Sequence, residues 1–199
     1  MTVLHIEGPS PLFTNTFLVL TGGGHAVAID PAAPAGRYLA ALKEKGAVLT
    51  HILLTHGHYD HVGSVEALQK ATGAAVYLDP ADAQGNTMFP LRGADASFTD
   101  GGSVAVDELT FQTWHTPGHT GGSWCFYCGG YLFCGDTLFA GGCGRVDLPG
   151  GSAAEMGRSL TMLAALPLPD ETRVLPGHDE FSTLGAERRH NPCMRGEIY

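Results

Sequence analysis

The chain has 199 residues, which suits one domain with a sizeable core better than two domains. Its 20 acidic residues outnumber its 11 basic ones, and the net charge of −9 argues against a nucleic-acid-binding protein, which needs a basic face. Residues 1–20 lack the pattern of a secretion signal, no apolar run is long enough to span a membrane, and the five cysteines are an odd number. We therefore expect one domain over residues 1–199, located in the cytoplasm, with free thiols and no membrane partner.

Alternating apolar residues and turn residues predict the elements of the first half. The tripeptide Gly22–Gly24 marks a hairpin turn, and Gly46 is a good residue to end a helix. The predicted strands span residues 2–7, 15–20, 25–30, 48–54 and 75–78, and the predicted helices span 34–45 and 63–72. Residues 79–102 show no clear periodicity, and a loop of this length is usually functional or mobile. Its only apolar tip, Met88–Leu91, packs on the core or lines a substrate entrance.

In the second half, paired strands are predicted before a helix with a recognisable start. The strands span residues 103–106, 109–114, 123–128, 131–134 and 172–175. Ser152 and Glu155 form a capping box that opens a helix running to Ala165, so Glu155 needs no catalytic role. A short helix is predicted over residues 185–190. Cys125 and Cys128 lie on one strand, where their side chains point to opposite faces, which is unlike a zinc knuckle.

The segment THGHYDH at residues 55–61 follows a buried strand and carries three imidazoles and a carboxylate. His56 and His58 are two residues apart, so an extended chain places both rings on one side. Asp60 and His61 follow after the chain begins to turn, and they can point elsewhere. Two pairs of ligands in two directions suit two metal ions about 3.5–4 Å apart. Imidazole and carboxylate without thiolate favour zinc, iron or manganese in an open site.

Four segments resemble, in order, the motifs of the metallo-β-lactamase fold: THGHYDH at 55–61, TPGHT at 116–120, GDTLF at 135–139 and PGH at 176–178. Two further segments, GCGRVDLPGG at 142–151 and ERRHNP at 187–192, look like those of single-domain glyoxalase II-like hydrolases, which are hydroxyacylglutathione hydrolase-like enzymes. The resemblance implies an α/β (α+β) fold: a four-layer αββα sandwich with metals at one edge between the sheets.

Carried over residue by residue, the resemblance implies two groups of ligands. The first metal would bind His56, His58 and His119, and the second would bind Asp60, His61 and His178. Asp136 matches the bridging carboxylate, and Asp60 and Asp136 are the expected catalytic carboxylates. The cofactors would be two divalent ions, zinc first, with iron or manganese as alternatives.

The implied reaction is hydrolysis of a small-molecule thioester, such as S-lactoylglutathione or a related hydroxyacyl thioester, by a metal-bridging hydroxide. We expect the enzyme to be a monomer or a small homo-oligomer. Two-domain glyoxalase II enzymes hold glutathione through a helical C-terminal domain, whereas only 21 residues follow His178 here. The thiol carrier is therefore open, with Arg145, Arg188 and Arg189 as candidates for binding its anionic groups; a solvated helix face is the other interpretation of the last two.

Several alternatives remain at this level. A persulfide dioxygenase of the same fold would hold one iron through His56, His119 and Asp136, and Asp60, His61 and His178 would then be spectators. His115 lies four residues before His119 and competes weakly with it as a ligand. Asp30 either supports the ligands from behind or serves only in a turn. Cys134 and Cys143 are ordinary buried thiols or sites of oxidation.

Overall fold

The structure is a computed structural model that describes residues 1–83 and 93–197. Residues 1–83 contain five strands and four helices. The strands are β1 (Thr2–Glu7), β2 (Asn15–Leu20), β3 (His25–Ile29), β4 (Val48–Leu53) and β5 (Ala75–Tyr77). The helices are α1 (Ala35–Lys45), α2 (Tyr59–Val62), α3 (Val65–Thr72) and α4 (Pro80–Ala83).

The second half contributes the remaining elements. The strands are β6 (Ser103–Val106), β7 (Leu109–His115), β8 (Trp124–Cys128), β9 (Tyr131–Gly135), β10 (Arg173–Pro176) and β11 (Ser182–Thr183). The helices are α5 (Ala153–Ala165) and α6 (Leu184–His190), followed by a 3₁₀ turn at Cys193–Arg195. Ser152 caps α5 by accepting a hydrogen bond from Glu155 N, as the capping box predicts.

Each half forms one mixed β-sheet. The first has the order β1-β2-β3-β4-β5, with antiparallel pairs up to β3 and parallel pairs beyond it. The second has the order β11-β10-β9-β8-β7-β6, in which only β9 and β10 are parallel. β1 lies at a sheet edge, as its weak alternation predicts.

Three apolar clusters separate four layers. Phe17 and Ile29 of the first sheet pack with Phe111, Phe126 and Phe133 of the second, which forms the core between the sheets. A second cluster lies beneath α1 and α3 on the outer face of the first sheet, and a third lies beneath α5 and α6 on the outer face of the second. Each sheet thus buries both faces, and the fold is the expected αββα sandwich.

The predicted ligand residues all follow the ends of strands. The segment after β4 carries His56 and His58, and His119 follows β7. Asp136 comes directly after β9, and His178 comes two residues after β10. The termini of strands in both sheets therefore deliver polar side chains to one region between the layers.

The structure differs from the predictions in several places, including β11 and the 3₁₀ turn, which the sequence does not predict. Residues 59–62 of the predicted turn form a short helix, and the next helix begins at Val65 rather than at Gly63. The predicted loop over 79–102 contains the four-residue helix α4. The predicted apolar tip at 88–91 lies outside the described residues. Among the residues that are described, no helix is long and apolar enough to cross a membrane.

Candidate metal centre

Three imidazoles form the first group of converging ring nitrogens. One donor atom from each of His56, His58 and His119 lies within 4.8 Å of the other two. His119 Nε2 is 2.8 Å from His58 Nδ1, and the three rings are nearly perpendicular to one another. The extended backbone at His58 places its ring beside that of His56, as the spacing of two residues predicts.

A second group forms where α2 meets the segment after β10. Asp60, His61 and His178 each offer a donor atom within 4.8 Å of the other two. His178 Nε2 lies 3.2 Å from Asp60 Oδ2, and His61 Nε2 lies 3.8 Å from the same oxygen. α2 carries both Asp60 and His61, and the His61 ring also lies beside that of His56, with ring centroids 4.1 Å apart.

Asp136 lies between the two groups. Its Oδ2 is 3.3 Å from His119 Nε2 and 3.6 Å from His178 Nε2, and its Oδ1 is 3.4 Å from His61 Nε2. One carboxylate therefore contacts members of both groups. All seven predicted ligand side chains lie together, and the geometry permits Asp136 to bridge two cations.

Unpaired buried atoms test whether the site fits metal ions. His56 Nε2, His61 Nε2 and Asp136 Oδ1 are buried and have no hydrogen-bond partner among the described residues. Leaving a buried polar atom unpaired costs roughly 1–3 kcal/mol, so three in one cluster need an explanation. His61 Nε2 and Asp136 Oδ1 lie 3.4 Å apart, and imidazole with carboxylate is a donor set for zinc, iron or manganese. The residues present fit divalent cations.

Asp30 holds two of the ligand segments from behind. It is 2% exposed, and it accepts hydrogen bonds from Thr55 N at 2.7 Å, Thr55 Oγ1 at 2.6 Å and His61 Nδ1 at 3.0 Å. Because these donors already occupy its oxygens, Asp30 is a hydrogen-bond acceptor rather than a ligand, although it lies close enough to His56 and His61 to be one. His61 is thereby fixed with Nε2 free for a metal.

Asp82 of α4 joins the two segments that carry the first group. Its Oδ2 accepts hydrogen bonds from Gly57 N at 2.9 Å and Thr120 Oγ1 at 2.8 Å, and its Oδ1 accepts one from Gly122 N at 3.1 Å. Gly57 separates His56 from His58, and Thr120 follows His119. Analysis of the sequence missed this residue, because its partners are 25 to 40 positions away in the chain.

Backbone carbonyls orient two more imidazoles. His119 Nδ1 donates to Arg145 O at 2.8 Å, and His178 Nδ1 donates to Leu12 O at 3.1 Å. In both rings this leaves Nε2 directed at Asp136. Gly177 permits the segment that carries His178 to approach His61 closely, since a Cβ at position 177 would lie 2.6 Å from His61 Cε1.

Burial and neighbouring charges set the protonation of the cluster. Burial, followed by the proximity of His61, lowers the pKa of His56 well below its usual value, so its lone pair is available. Burial alone would lower the pKa of His61, but Asp136 and Asp30 outweigh it and raise that pKa. Burial alone would raise the pKa of Asp136, but His61, His56 and His119 hold it below the usual range. A cation held by this group would take the place of the proton on His61.

The remaining candidates lie outside the cluster. His115 Nε2 pairs with Gly121 O at 2.9 Å, so this ring is occupied elsewhere. Arg188 donates to the carbonyl oxygens of Ala164, Leu166 and Leu168, at the end of α5. Arg189 contacts Asp170 on the surface.

The thiols have the structural character expected of them. Cys125 packs with the helices on the second sheet, and Cys128 faces the core between the sheets. Burial raises the pKa of Cys134, and burial together with a hydrogen bond to Cys193 raises the pKa of Cys143 to about 12. These thiols are protonated at neutral pH and therefore poorly reactive.

A sequence model described as the metallo-β-lactamase superfamily matches residues 9–178. The chain belongs to the metallo-β-lactamase superfamily. Among curated relatives, a hydroxyacylglutathione hydrolase of Pseudomonas fluorescens is 42% identical over 85% of this chain and 63% of its own length. This chain thus spans less than two thirds of that enzyme.

Two solved structures share both fold and sequence with this superfamily member. ETHE1 from Myxococcus xanthus is 35% identical with a TM-score of 0.87, over 98% of this chain and 85% of that one. TTHA1623, solved in a di-iron-bound form, is 38% identical with a TM-score of 0.82, over 95% of this chain and 98% of that one. The chain therefore has a metallo-hydrolase fold with clusters of histidine and aspartate suited to divalent metals.

Proposed function

We propose that this chain is a dinuclear-metal hydrolase that cleaves a small thioester, such as S-lactoylglutathione or a related hydroxyacyl thioester. The observation that carries the proposal is the contact of one buried carboxylate, Asp136, with both groups of ligand side chains. Residues 1–199 act as one domain in this proposal, in the cytoplasm, and zinc is the first candidate metal, with iron or manganese as alternatives.

Two bound cations supply a water-derived nucleophile at neutral pH and stabilise the charge that develops on the carbonyl oxygen. The chain's own residues determine where this happens. Asp60 and Asp136 face the same space, and neighbouring histidines lower the pKa of both carboxylates against the effect of burial. Both stay ionised at neutral pH and orient an attacking water by accepting its hydrogen bonds. A thiolate leaves without full protonation, so no general acid is required.

The relatives support the thioester and leave its carrier open. The Pseudomonas fluorescens relative is a hydroxyacylglutathione hydrolase, but it has additional length that this chain does not match. Arg145, the candidate for holding an anionic carrier, is paired with Asp147 through two hydrogen bonds of 2.7 and 2.8 Å. An anionic group must therefore compete with Asp147 for this guanidinium. The di-iron form of TTHA1623 supports a pair of metals, with iron as an alternative to zinc.

Metal content measured on matched histidine variants tests the dinuclear assignment. We expect two ions per chain in the metal-replete protein, and loss of both ions and of activity in Asp136→Ala. His119→Ala removes an imidazole of the first group of ligands. His115→Ala removes a nearby ring whose one described hydrogen bond is to Gly121 O. The His115 variant should therefore keep both ions. Two ions retained by Asp136→Ala would refute the bridging role, and a single iron per chain would favour the persulfide dioxygenase alternative.

A further inference from the structure

A cavity of about 160 Å³ borders the second group of ligands. Its walls come from the β1–β2 loop, from Ala32 after β3 and from α2 with the residue that follows it. Its lining is mostly apolar, with Pro9, Pro11, Leu12 and Tyr59, but it also includes the hydroxyl groups of Ser10 and Thr14, and Asp60 is the only charged residue in it. The cavity therefore connects a largely apolar space with a carboxylate of the proposed metal centre.

The β1–β2 loop is held against the metal centre by defined contacts. Gly8 N donates to Thr14 O at 2.8 Å and Phe13 N donates to Pro9 O at 3.1 Å, which closes the loop on itself. Leu12 O accepts from His178 Nδ1 at 3.1 Å, while the other nitrogen of that ring lies 3.2 Å from Asp60 Oδ2. The His178 ring thus lies between a backbone atom of the cavity wall and the one charged residue of its lining.

Two apolar side chains of the lining, Leu12 and Tyr59, and the adjacent Phe13 are exposed on this side of the cavity. Leu12 is 39% exposed, Phe13 is 50% exposed and Tyr59 is 41% exposed, and all three rank among the few large apolar residues exposed in the described parts of the chain. Phe13 also has a φ of +49°, a left-handed conformation that is costly for a bulky residue. Backbone strain and exposed apolar surface together are typical of segments kept for binding rather than for stability.

We propose that this cavity is the subsite for the acyl group of the substrate, and that it selects acyl chains of up to about six carbon atoms. The size follows from comparison with an apolar cavity of about 150 Å³, which holds one benzene molecule. This inference rests on the proposed thioester hydrolysis and specifies the size of its acyl group: acetyl is too short to fill the cavity, whereas a hydroxyacyl group such as lactoyl fits within its volume beside the hydroxyl groups of Ser10 and Thr14.

The test separates the acyl group from the carrier. The free acid is a product of the reaction, so acetate, butanoate and hexanoate probe the subsite without any thiol. Each buried methylene contributes about fourfold in affinity, which gives roughly 200-fold for the four extra methylenes of hexanoate if all are buried. Because the rim is open to solvent, we expect hexanoate to bind the metal-loaded protein with about tenfold or more higher affinity than acetate, as measured by calorimetry. The kcat/KM values of acetyl-, butanoyl- and hexanoylglutathione should rise in the same order.

Two variants locate the effect. Gly63→Leu adds a branched side chain at the cavity wall, where the nearest atom to a new Cβ is Ala32 O at 3.4 Å, and it should abolish the preference for hexanoyl over acetyl. Leu12→Ala removes part of the wall but keeps the backbone carbonyl that orients His178, and it should reduce the preference severalfold. Val48→Ala, at the start of β4 and 57% exposed, is the control and should leave the preference unchanged.

The outcomes are distinct for the two proposals. Hydrolysis of all three thioesters with equal kcat/KM, and equal binding of acetate and hexanoate, would overturn the acyl subsite while leaving the hydrolase intact. A chain-length preference that survives in both Gly63→Leu and Leu12→Ala would also overturn it. No hydrolysis of any thioester, with hexanoate still bound more tightly than acetate, would count against the proposed function and not against the cavity.

Discussion

Asp30 offers the most demanding test of how the site is held. Its carboxylate is buried and accepts hydrogen bonds from Thr55 N, Thr55 Oγ1 and His61 Nδ1. Asp30→Ala would leave three buried donors without partners. Removing one partner from a buried charged network costs about 3–5 kcal/mol, which is a large fraction of a typical folding free energy of about 5–15 kcal/mol. We expect this variant to be marginally folded.

Asp30→Asn is the more informative change. The amide keeps the shape and one acceptor oxygen, and asparagine tolerates the φ of +47° at this position. One or two of the three hydrogen bonds are lost, so unfolding should be easier by about 1–3 kcal/mol. Because His61 also loses the charge that orients its ring, affinity for the second metal should fall by about 10- to 100-fold.

Metal-binding isotherms and urea unfolding measure the two effects separately. Asp107→Asn is the matched control, since Asp107 also has a positive φ, of +51°, but is exposed and contacts Thr21 and His25 instead. This control should bind both metals as the unmodified protein does. Binding of the second metal to Asp30→Asn with unchanged affinity would refute the argument that Asp30 prepares His61 as a ligand.

Three further predictions concern other parts of the chain. Asp82→Ala removes the acceptor shared by the segments around Gly57 and Thr120, and it should lower the affinity for the first metal by about tenfold. Unchanged affinity would show that the two segments keep their positions without Asp82. Arg188→Ala should lower Tm by about 4–8 °C, because about 2 kcal/mol of hydrogen bonding to the end of α5 is lost, whereas exposed Arg189→Ala should change it little. A loss of kcat/KM in Arg188→Ala without loss of Tm would instead favour substrate binding by that residue. Removal of the metal by a chelator should lower the free energy of unfolding by about 2.7 kcal/mol per site, compared with protein in metal at 100 times its Kd. The effect should appear as a fall in Tm that added metal reverses.

The sequence predicts most of the strands, and it does so for a physical reason. Strands such as β7 bury Leu109, Phe111 and Thr113 on one face, and alternation of this kind is local and visible in the chain. α2 is different, because four residues rich in polar ligands carry no helical periodicity. β11 has two residues, too few for any pattern to be recognised.

The candidate site shows the same limit. The spacing of His56 and His58 makes their convergence predictable from local geometry, and the family resemblance supplies His119, Asp136 and His178. The groups that orient these ligands lie far from them in the sequence: Asp30 contacts His61, 31 positions away, and Leu12 contacts His178, 166 positions away. No local pattern encodes such pairs: Asp30 meets His61 because β3 pairs with β4, and Leu12 meets His178 because the β1–β2 loop lies against the segment after β10. The acyl cavity forms where the β1–β2 loop meets α2, and it is likewise invisible in the sequence.

Release of free thiol from S-D-lactoylglutathione by the metal-replete protein tests the central claim most directly. The account predicts rapid hydrolysis that stops on addition of a chelator and returns when two equivalents of metal are restored. The same assay with Asp136→Ala should show no release, and with His115→Ala it should show release close to that of the unmodified protein. Absence of thiol release from a protein that carries two metals, with S-D-lactoylglutathione and with the acyl series alike, would contradict the assignment of this site to thioester hydrolysis.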